Sequence, residues 1–419
     1  MGRRGVAQAL TTVLPPTVRV TAYDGSQGGP ADAQVALHVR SPRALTHLVL
    51  APGGLGLARG YVSGLLDFDG PDHHAVVSAL ATSAHIGDLS WQQRLQVLRT
   101  LGPEAMHVVE LPRQEVGAKR YAAGLRAHTL RRDAAAIAHH YDVSNGFYER
   151  MLGPSMAYTC AVYPSEDATL EQAQEAKFDL VCRKLGLAPG MRLLDVGCGW
   201  GGMALHAARN YGVRVVAVTL SRQQAEWAAK AVADAGLSEQ VDVRFADYRT
   251  VGEDGFDAVS SIGLTEHIGV ANLDAYAARL ASRLRPGGRL LNHCITRADD
   301  DSPPINPRGF IARYVFPDGE IPGLGRVVGA LQRSSLEVRH EESLCEHYAL
   351  TCGAWAANLD AHWAEAVQEV GLASTRVWAL YLAGSRLAFE RGDIQLHQVL
   401  AVKTDRGRSG MPLRPDWGG

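Results

Sequence analysis

No stretch of this chain is apolar for long enough to span a bilayer as a helix, which takes about 20 predominantly apolar residues in a row. The opening "MGRRGVAQALTTVLPP" has arginines but only a short apolar run before two prolines, so no secretory signal is expected. No Cys-x-x-Cys pair occurs. The six cysteines (160, 182, 198, 294, 345 and 352) are scattered, which argues against a disulfide framework or a structural zinc site and for a reducing compartment, the cytoplasm. Neither a Gly-x-Ser-x-Gly nucleophile elbow nor a Walker loop is present, and no Cys/His spacing suits a metal. No internal repeat or low-complexity segment stands out. The formal net charge is only -2, so the molecule as a whole is no binder of nucleic acid, and any basic surface must be local.

What is there is the balance of a globular protein, 46% apolar and 21% charged, over 419 residues, enough for two domains. Residues 17–95 read as short strands mixed with turns: "TVRVTAYDGS", "AQVALHVRS" and "HLVLAPGG" are compact β-type runs bounded by Gly, Pro and Ser. Residues 1–110 are thus expected to form a small α+β domain. Residues 111–139 read as a helical connector with Arg113, Lys119, Arg120, Arg126, Arg131 and Arg132 against few acids. This is either a solvated helix face or a patch for anionic phospholipid headgroups.

From residue 170 onward, strands and helices alternate. "RLLDVG", "VRVVAVTL", "VDVRFAD", "FDAVSSIG" and "GGRLLNHCIT" are strands separated by helical patterns, and "LHQVLAVK" can close the sheet as an edge strand. Continuous apolar strands alternating with helices predict an α/β fold with a doubly wound, mostly parallel sheet over 140–419.

At the first of these strands stands "LLDVGCGWGGM", residues 193–203, with Gly197, Gly199, Gly201 and Gly202 behind Asp195. A strand-to-helix turn is where such a sheet binds its ligand, and side chains there would block the approach. Gly197, Gly199 and Gly202 also satisfy the dinucleotide spacing, but the next strand ends "VTLSRQQ", with no acid to hold a ribose. A loop led by an acid suits a ligand with a cationic part and no pyrophosphate. S-adenosylmethionine, with its sulfonium and ammonium, is such a ligand.

Taken with this loop, "HYDVSNGFYERMLGPSMAYTC" (140–160), "VTLSRQQ", "EHIG", "NHCIT" and "YLAGSRLAFERGDIQLHQVL" (381–400) resemble the cyclopropane-fatty-acid synthase family over residues 125–403. The resemblance implies a class I methyltransferase fold and an S-adenosylmethionine-dependent enzyme acting on unsaturated acyl chains of phospholipids. It makes the N-terminal domain a lipid-engaging one and the protein a homodimer that docks peripherally on an anionic membrane from the cytoplasm. Within the family, "RVTAYDGSQGGP" and "LLNHCITR" look more like the actinobacterial enzymes that make a 10-methylene, tuberculostearic-type branch than like those that close a cyclopropane. A methylene product would need a separate reductase to become a methyl branch.

Residue by residue, the resemblance puts Tyr158, Thr159, the Gly197–Gly201 loop, Thr219 and Gln224 on the cofactor. The residues agree: Thr219, Ser221 and Gln224 are neutral polar groups just past the second strand, and Asp195 can organise the amino-acid end of the cofactor. Asp247 and Tyr248 follow the third strand, where an acid can accept from adenine and an aromatic can cover it. Methylation of an alkene leaves a carbocation, which needs a dry pocket and a base. The resemblance implies a bound bicarbonate as that base, at positions matching Cys160, Glu266, His293, Ile295 and Tyr348. Cys160 and Ile295 are expected to contribute backbone groups. Glu266 and His293 both fall at the ligand-binding edge of the sheet. His267 is expected behind Glu266, and His139 and His140 beside a loop. Tyr314 and Tyr381 are aromatic candidates for an acyl tunnel. Two rival readings are a methyltransferase acting on nitrogen or oxygen of a small molecule and a non-catalytic lipid-binding protein. The first has no use for the Cys160, Glu266, His293 and Tyr348 set, and the second none for Asp195, Glu266 and His293 together.

Overall fold

The computed structural model describes residues 5–81, 109–115, 144–317 and 319–418. Lys119, Arg120, Arg126, Arg131, Arg132, His139 and His140 lie outside the described residues. Packing divides the chain into two compact units. One comprises Met1–Ala123, Asn306–Pro317 and Leu359–Leu387, and the other Gly124–Ile305, Asp318–Asn358 and Ala388–Gly419. Among the described residues no helix is long and apolar enough to cross a membrane. None of the six cysteines is in a disulfide, and five of them are buried.

The first unit runs α1 (Val6–Leu10), β1 (Val18–Ala22), β2 (Gln27–Gly28), β3 (Val35–Val39), α2 (Pro42–Leu50), α3 (Gly54–Val62), β4 (Leu66–Asp69) and α4 (His73–Ala81). Its sheet has the order β2-β1-β3-β4, with β1 and β3 parallel. Alternate residues of β1 and β3 (Val18, Val20, Val35, Leu37, Val39) point into one core with Ala44 and Leu45 of α2 and Leu57 of α3. The expectation of a β-type run at "HLVLAPGG" is corrected here, because His47–Leu50 belong to α2. The start signal precedes the run. Ser41 accepts from the Arg43 N–H, and Pro42 sits in the first turn, where its missing N–H costs nothing. Segments 306–317 and 359–387 join this unit with the short helix Phe310–Tyr314, the helix Trp363–Val370 and most of Leu372–Glu390.

The second unit is built on β5 (Arg192–Val196), β6 (Arg214–Thr219), β7 (Val241–Phe245), β8 (Phe256–Ile262), β9 (Leu284–Arg297), β10 (Glu337–Ser343) and β11 (Ile394–Val402). The strand order is β10-β11-β9-β8-β5-β6-β7. The five strands from β9 to β7 are parallel, and β11 runs antiparallel to both neighbours. Helices α5 (Asn145–Leu152), α6 (Leu170–Leu185), α7 (Gly202–Tyr211), α8 (Arg222–Asp234), α9 (Leu273–Arg283), α10 (Leu324–Arg333) and α11 (Cys345–Ala361) belong to this unit, α11 for all but its end.

The inner strands β5, β6 and β8 feed two cores in alternation. Leu193, Val215, Ala217 and Ala258 pack with Phe178 and Val181 of α6 and Met203 and Ala207 of α7. Leu194, Val196, Val218 and Val259 pack with Leu280 of α9 and Leu331 of α10. Helices on both faces are what near-continuous apolar strands require, and this is the doubly wound sheet expected from the sequence. One strand differs. "LHQVLAVK" lies inside the sheet, and the edge is β10, "EVRHEES", whose charged residues suit a strand with one open side.

Candidate active site

β5 ends at Val196, and α7 begins at Gly202. Between them the backbone turns through left-handed conformations, φ +76° at Gly197 and +55° at Gly199, which cost an L-residue about 1–2 kcal/mol each. The Gly197 and Cys198 N–H groups donate to the Val218 carbonyl on β6, at 2.9 and 3.0 Å, so the turn is pinned to the neighbouring strand. Among the described residues, its own chain neighbours aside, no atom lies within 4 Å of where a Gly199 Cβ would stand.

That open side is part of a cavity at the carboxyl ends of β5, β6 and β8. Of the residues expected to hold a cofactor, Tyr158, Thr159, Asp195, Gly197, Gly199, Thr219, Gln224 and Tyr248 line it. Gly201 and Asp247 do not. Gly201 caps α7, and a Cβ there would stand 3.0 Å from that of Ala228. Asp247 is held by its own neighbour: Arg249 donates from its backbone N–H and from Nε to Oδ1, both at 2.8 Å, and from a terminal guanidinium nitrogen to Oδ2 at 2.7 Å. Arg249 thus takes three of the roughly four acceptor positions of the carboxylate expected to meet adenine.

Asp195 is 2% exposed. Its Oδ1 accepts from the Ser260 hydroxyl at 2.7 Å, while Oδ2 is buried with no hydrogen-bond partner among the described residues. Burial pushes the group up to about 6, against the hydrogen bond from Ser260 and the charge of Lys177. Past β6, Thr219 Oγ1 donates to Gln224 Oε1 at 2.8 Å and accepts the Ser221 N–H at 3.2 Å, which fixes both side chains at the cavity.

Lys177 and Trp200 are among the cavity residues that the sequence reading does not single out. Lys177, on α6, is fully buried, and its ammonium donates to Thr159 Oγ1 at 2.8 Å and lies 4.0 Å from the Phe178 ring centre. Burial pulls it down to about 7. The signal was available: Lys177 and Lys184 fall on the same helical stripe as Leu170, Ala173, Val181 and Leu185, the residues α6 buries. Trp200, inside the glycine loop, donates from Nε1 to Asn145 Oδ1 at 2.9 Å and packs on Tyr148.

A second polar cluster sits where β8, β9 and β11 end. Glu266 stands in the single turn Thr265–His267 that follows β8. Its Oε1 accepts the Ile295 N–H at 2.8 Å, and its Oε2 is buried with no partner among the described residues. Burial lifts the carboxyl to about 7. Of the backbone groups expected from Ile295, the N–H is engaged in holding Glu266.

His293 lies two residues before Ile295 on β9, 1% exposed, with Nε2 buried and unpartnered among the described residues. Burial and the charges of Lys177 and Lys184 hold it well below the usual histidine range, so the ring is neutral. Leu396 of β11 pairs with Ile295, and its carbonyl accepts the Leu344 N–H. The Leu344 carbonyl in turn accepts the Tyr348 N–H and faces the Cys160 thiol at 3.7 Å. Backbone pairing thus links the segments that carry Glu266, His293, Ile295, Tyr348 and Cys160. The Cys160 thiol is pushed far up by burial and stays protonated. The Tyr348 ring stacks on Phe389 at 4.4 Å and meets Trp355 edge-on at 6.0 Å.

His267 lines the cofactor-side cavity. Tyr314 and Tyr381 are in the first unit. The Tyr314 hydroxyl donates to Glu115 Oε2 at 3.2 Å, a carboxylate that Arg59 grips with two further bonds. Tyr381 meets Phe316 and Trp378 edge-on. Both rings are packed in an aromatic cluster of that unit.

The family model described as mycolic acid cyclopropane synthetase matches residues 128–399. A probable fatty acid methyltransferase of Mycobacterium tuberculosis is 52% identical over 99% of this chain and 99% of its own length. The cyclopropane-fatty-acyl-phospholipid synthase of Escherichia coli is 38% identical over 62% of this chain and 66% of that one. Among solved structures, mycolic acid cyclopropane synthase CmaA1 complexed with SAH and CTAB superposes with a TM-score of 0.60 at 34% identity, covering 64% of this chain and 97% of that one.

Proposed function

Because the chain belongs to the mycolic acid cyclopropane synthetase family, and its relatives are a probable fatty acid methyltransferase and a cyclopropane-fatty-acyl-phospholipid synthase, we propose that it uses S-adenosylmethionine to methylate the cis double bond of an unsaturated phospholipid acyl chain and forms a 10-methylene fatty acid. The observation that carries the reading is the pair of orphaned buried groups, Glu266 Oε2 and His293 Nε2, on adjoining strand ends. Polar atoms left unpaired in a core cost about 1–3 kcal/mol each unless a ligand completes them.

The cavity residues fit the cofactor. Gly199 leaves a side of the loop bare, and the unpartnered Asp195 Oδ2 suits a cationic amino-acid end. When bound, S-adenosylmethionine supplies an electrophilic methyl group on a sulfonium. Tyr158, Thr159 and Gln224 would hold it beside that loop.

The alkene would attack that methyl carbon with its π electrons; the carbon–carbon bond would form as the methyl–sulfur bond breaks and its electron pair leaves with the neutral thioether, and the other alkene carbon would be left a cation. Tyr348, Trp355 and Phe389 are aromatic neighbours whose faces suit a positive charge. The second cluster fits a bicarbonate. Ionised Glu266 can accept its hydroxyl proton, and His293 and Tyr348 can meet its oxygens; when bound, the ion supplies the base.

Two products follow from one cation. Loss of a proton from the new methyl with ring closure gives a cyclopropane. A hydride shift from the methyl-bearing carbon to the cationic one, followed by loss of a methyl proton, gives the methylene. The sequence features "RVTAYDGSQGGP" and "LLNHCITR" favour the methylene. Proton NMR of lipids from a host with and without the enzyme tests this. Vinylidene signals that appear only with the enzyme are expected. Strongly upfield ring signals alone would make it a cyclopropane synthase, and no new signal of either kind would overturn the function.

A further inference from the structure

We infer that Gln398 and Lys184 are positioning residues that fix His293 as the tautomer protonated on Nε2, so that this histidine offers the site a hydrogen-bond donor and not a basic nitrogen. The inference rests on the proposed reaction for its consequence, but its geometry stands apart from it. The register of β11 on β9 places Gln398 opposite His293, and both are buried, at 0% and 1% exposure. Gln398 Nε2 lies 3.2 Å from His293 Nδ1, and Gln398 Oε1 lies 2.7 Å from Lys184 Nζ.

The two ends of a glutamine amide have the same shape, so its partners decide its orientation. Lys184 decides it here. Its side chain is fully buried, and its ammonium is paired with the Glu342 carboxylate, which is 38% exposed. An ammonium has three donors and no acceptor, so the Gln398 atom facing it is the carbonyl oxygen. The other end is then NH2, which only donates. His293 Nδ1 must accept and carries no proton. A neutral imidazole has one N–H, which is therefore on Nε2, the nitrogen that is buried with no partner among the described residues.

The roles in the second cluster then separate. His293 donates, and Glu266 Oε2, on the side chain held by the Ile295 N–H two residues along β9, is an acceptor with no partner among the described residues. An anion that carries one hydroxyl matches that pair, its hydroxyl donating to Glu266 and its charged oxygen accepting from His293. Proton removal cannot be assigned to the histidine.

The test is the ring's own spectrum. In protein labelled with 15N-histidine, long-range 1H–15N correlations show which nitrogen is protonated, and His293→Gln identifies the signal. With no substrate present, Nε2 protonated and Nδ1 bare is expected. The opposite pattern overturns the inference. Gln398→Glu keeps the shape and the Lys184 contact but puts an acceptor opposite Nδ1. At a pH where its spectrum shows the ring neutral, the proton should move to Nδ1. The kcat should fall about 10- to 100-fold, the range for outer-shell partners, with cofactor KM unchanged. A moved proton with unchanged kcat also overturns the inference. A wild-type enzyme that shows the Nε2 pattern but methylates no lipid would sink the proposed reaction and leave the tautomer assignment standing.

Discussion

At Glu266 one oxygen is held by the Ile295 amide and the other has no donor among the described residues, and burial lifts the group from 4.5 to about 7. The folded protein therefore keeps a proton that the unfolded chain has released, and stability falls as pH rises from about 4.5 to 7. Activity should run the other way, because the acceptor is the carboxylate: kcat/KM is expected to rise with pH around 7. Glu266→Gln should remove that limb and lower turnover about 100- to 10,000-fold, with cofactor affinity intact. Near-normal turnover would take Glu266 out of the chemistry. Gly199→Val should fold at a cost of about 1–2 kcal/mol for its left-handed backbone and lose cofactor binding by calorimetry. Unchanged affinity would move the cofactor off this loop. Asp195, Glu266 and His293 are legible in the sequence, because a glycine loop and strand ends are local signals. The partner of His293 is not: Gln398 and Lys184 are separated by 214 positions, and only strand register and helix phase bring them together.

One helix serves both polar clusters. α6 turns Lys177 toward the cofactor-side cavity and Lys184, two turns on, toward Gln398. Its start is well made, since Thr169 and Gln172 cap each other's backbone N–H groups, and Gly186 closes the far end in a left-handed conformation. Thr169→Ala should lower the urea unfolding free energy by about 1 kcal/mol and leave kcat unchanged. A loss of activity with no loss of stability would show that the cap tunes the site. Elements of this kind, with caps and a clear helical period, are readable from the sequence alone. α2 is harder because "THLVL" is as apolar as a strand and only Ser41 and Pro42 mark it as helical. β10 is harder still. Its charges mask its period, so β11 takes the place of an edge that it does not form.

For the whole molecule, the proposed substrate lies in a membrane, and the charge to reach it must be local, since the total is -2. Arg126, Arg131 and Arg132, outside the described residues, are the sequence cluster we propose for that, at about 1 kcal/mol per basic residue near an anionic surface. Changing Arg131 and Arg132 to Glu should weaken sedimentation with anionic vesicles, most at low salt, and leave neutral vesicles unaffected. Equal binding of both forms would reduce the cluster to a solvated face. The strand order has a different kind of consequence. β11 separates β9 from β10, yet the ribosome makes it after both. Until residues 394–402 emerge, β10 has nothing in this sheet to pair with, and "LLNHCIT" on β9 presents an open apolar edge to any passing strand. A chain cut before residue 394 should therefore be prone to aggregate at that edge. The strand that shields the edge is also the one that carries Gln398, so the same truncation removes the partner of His293.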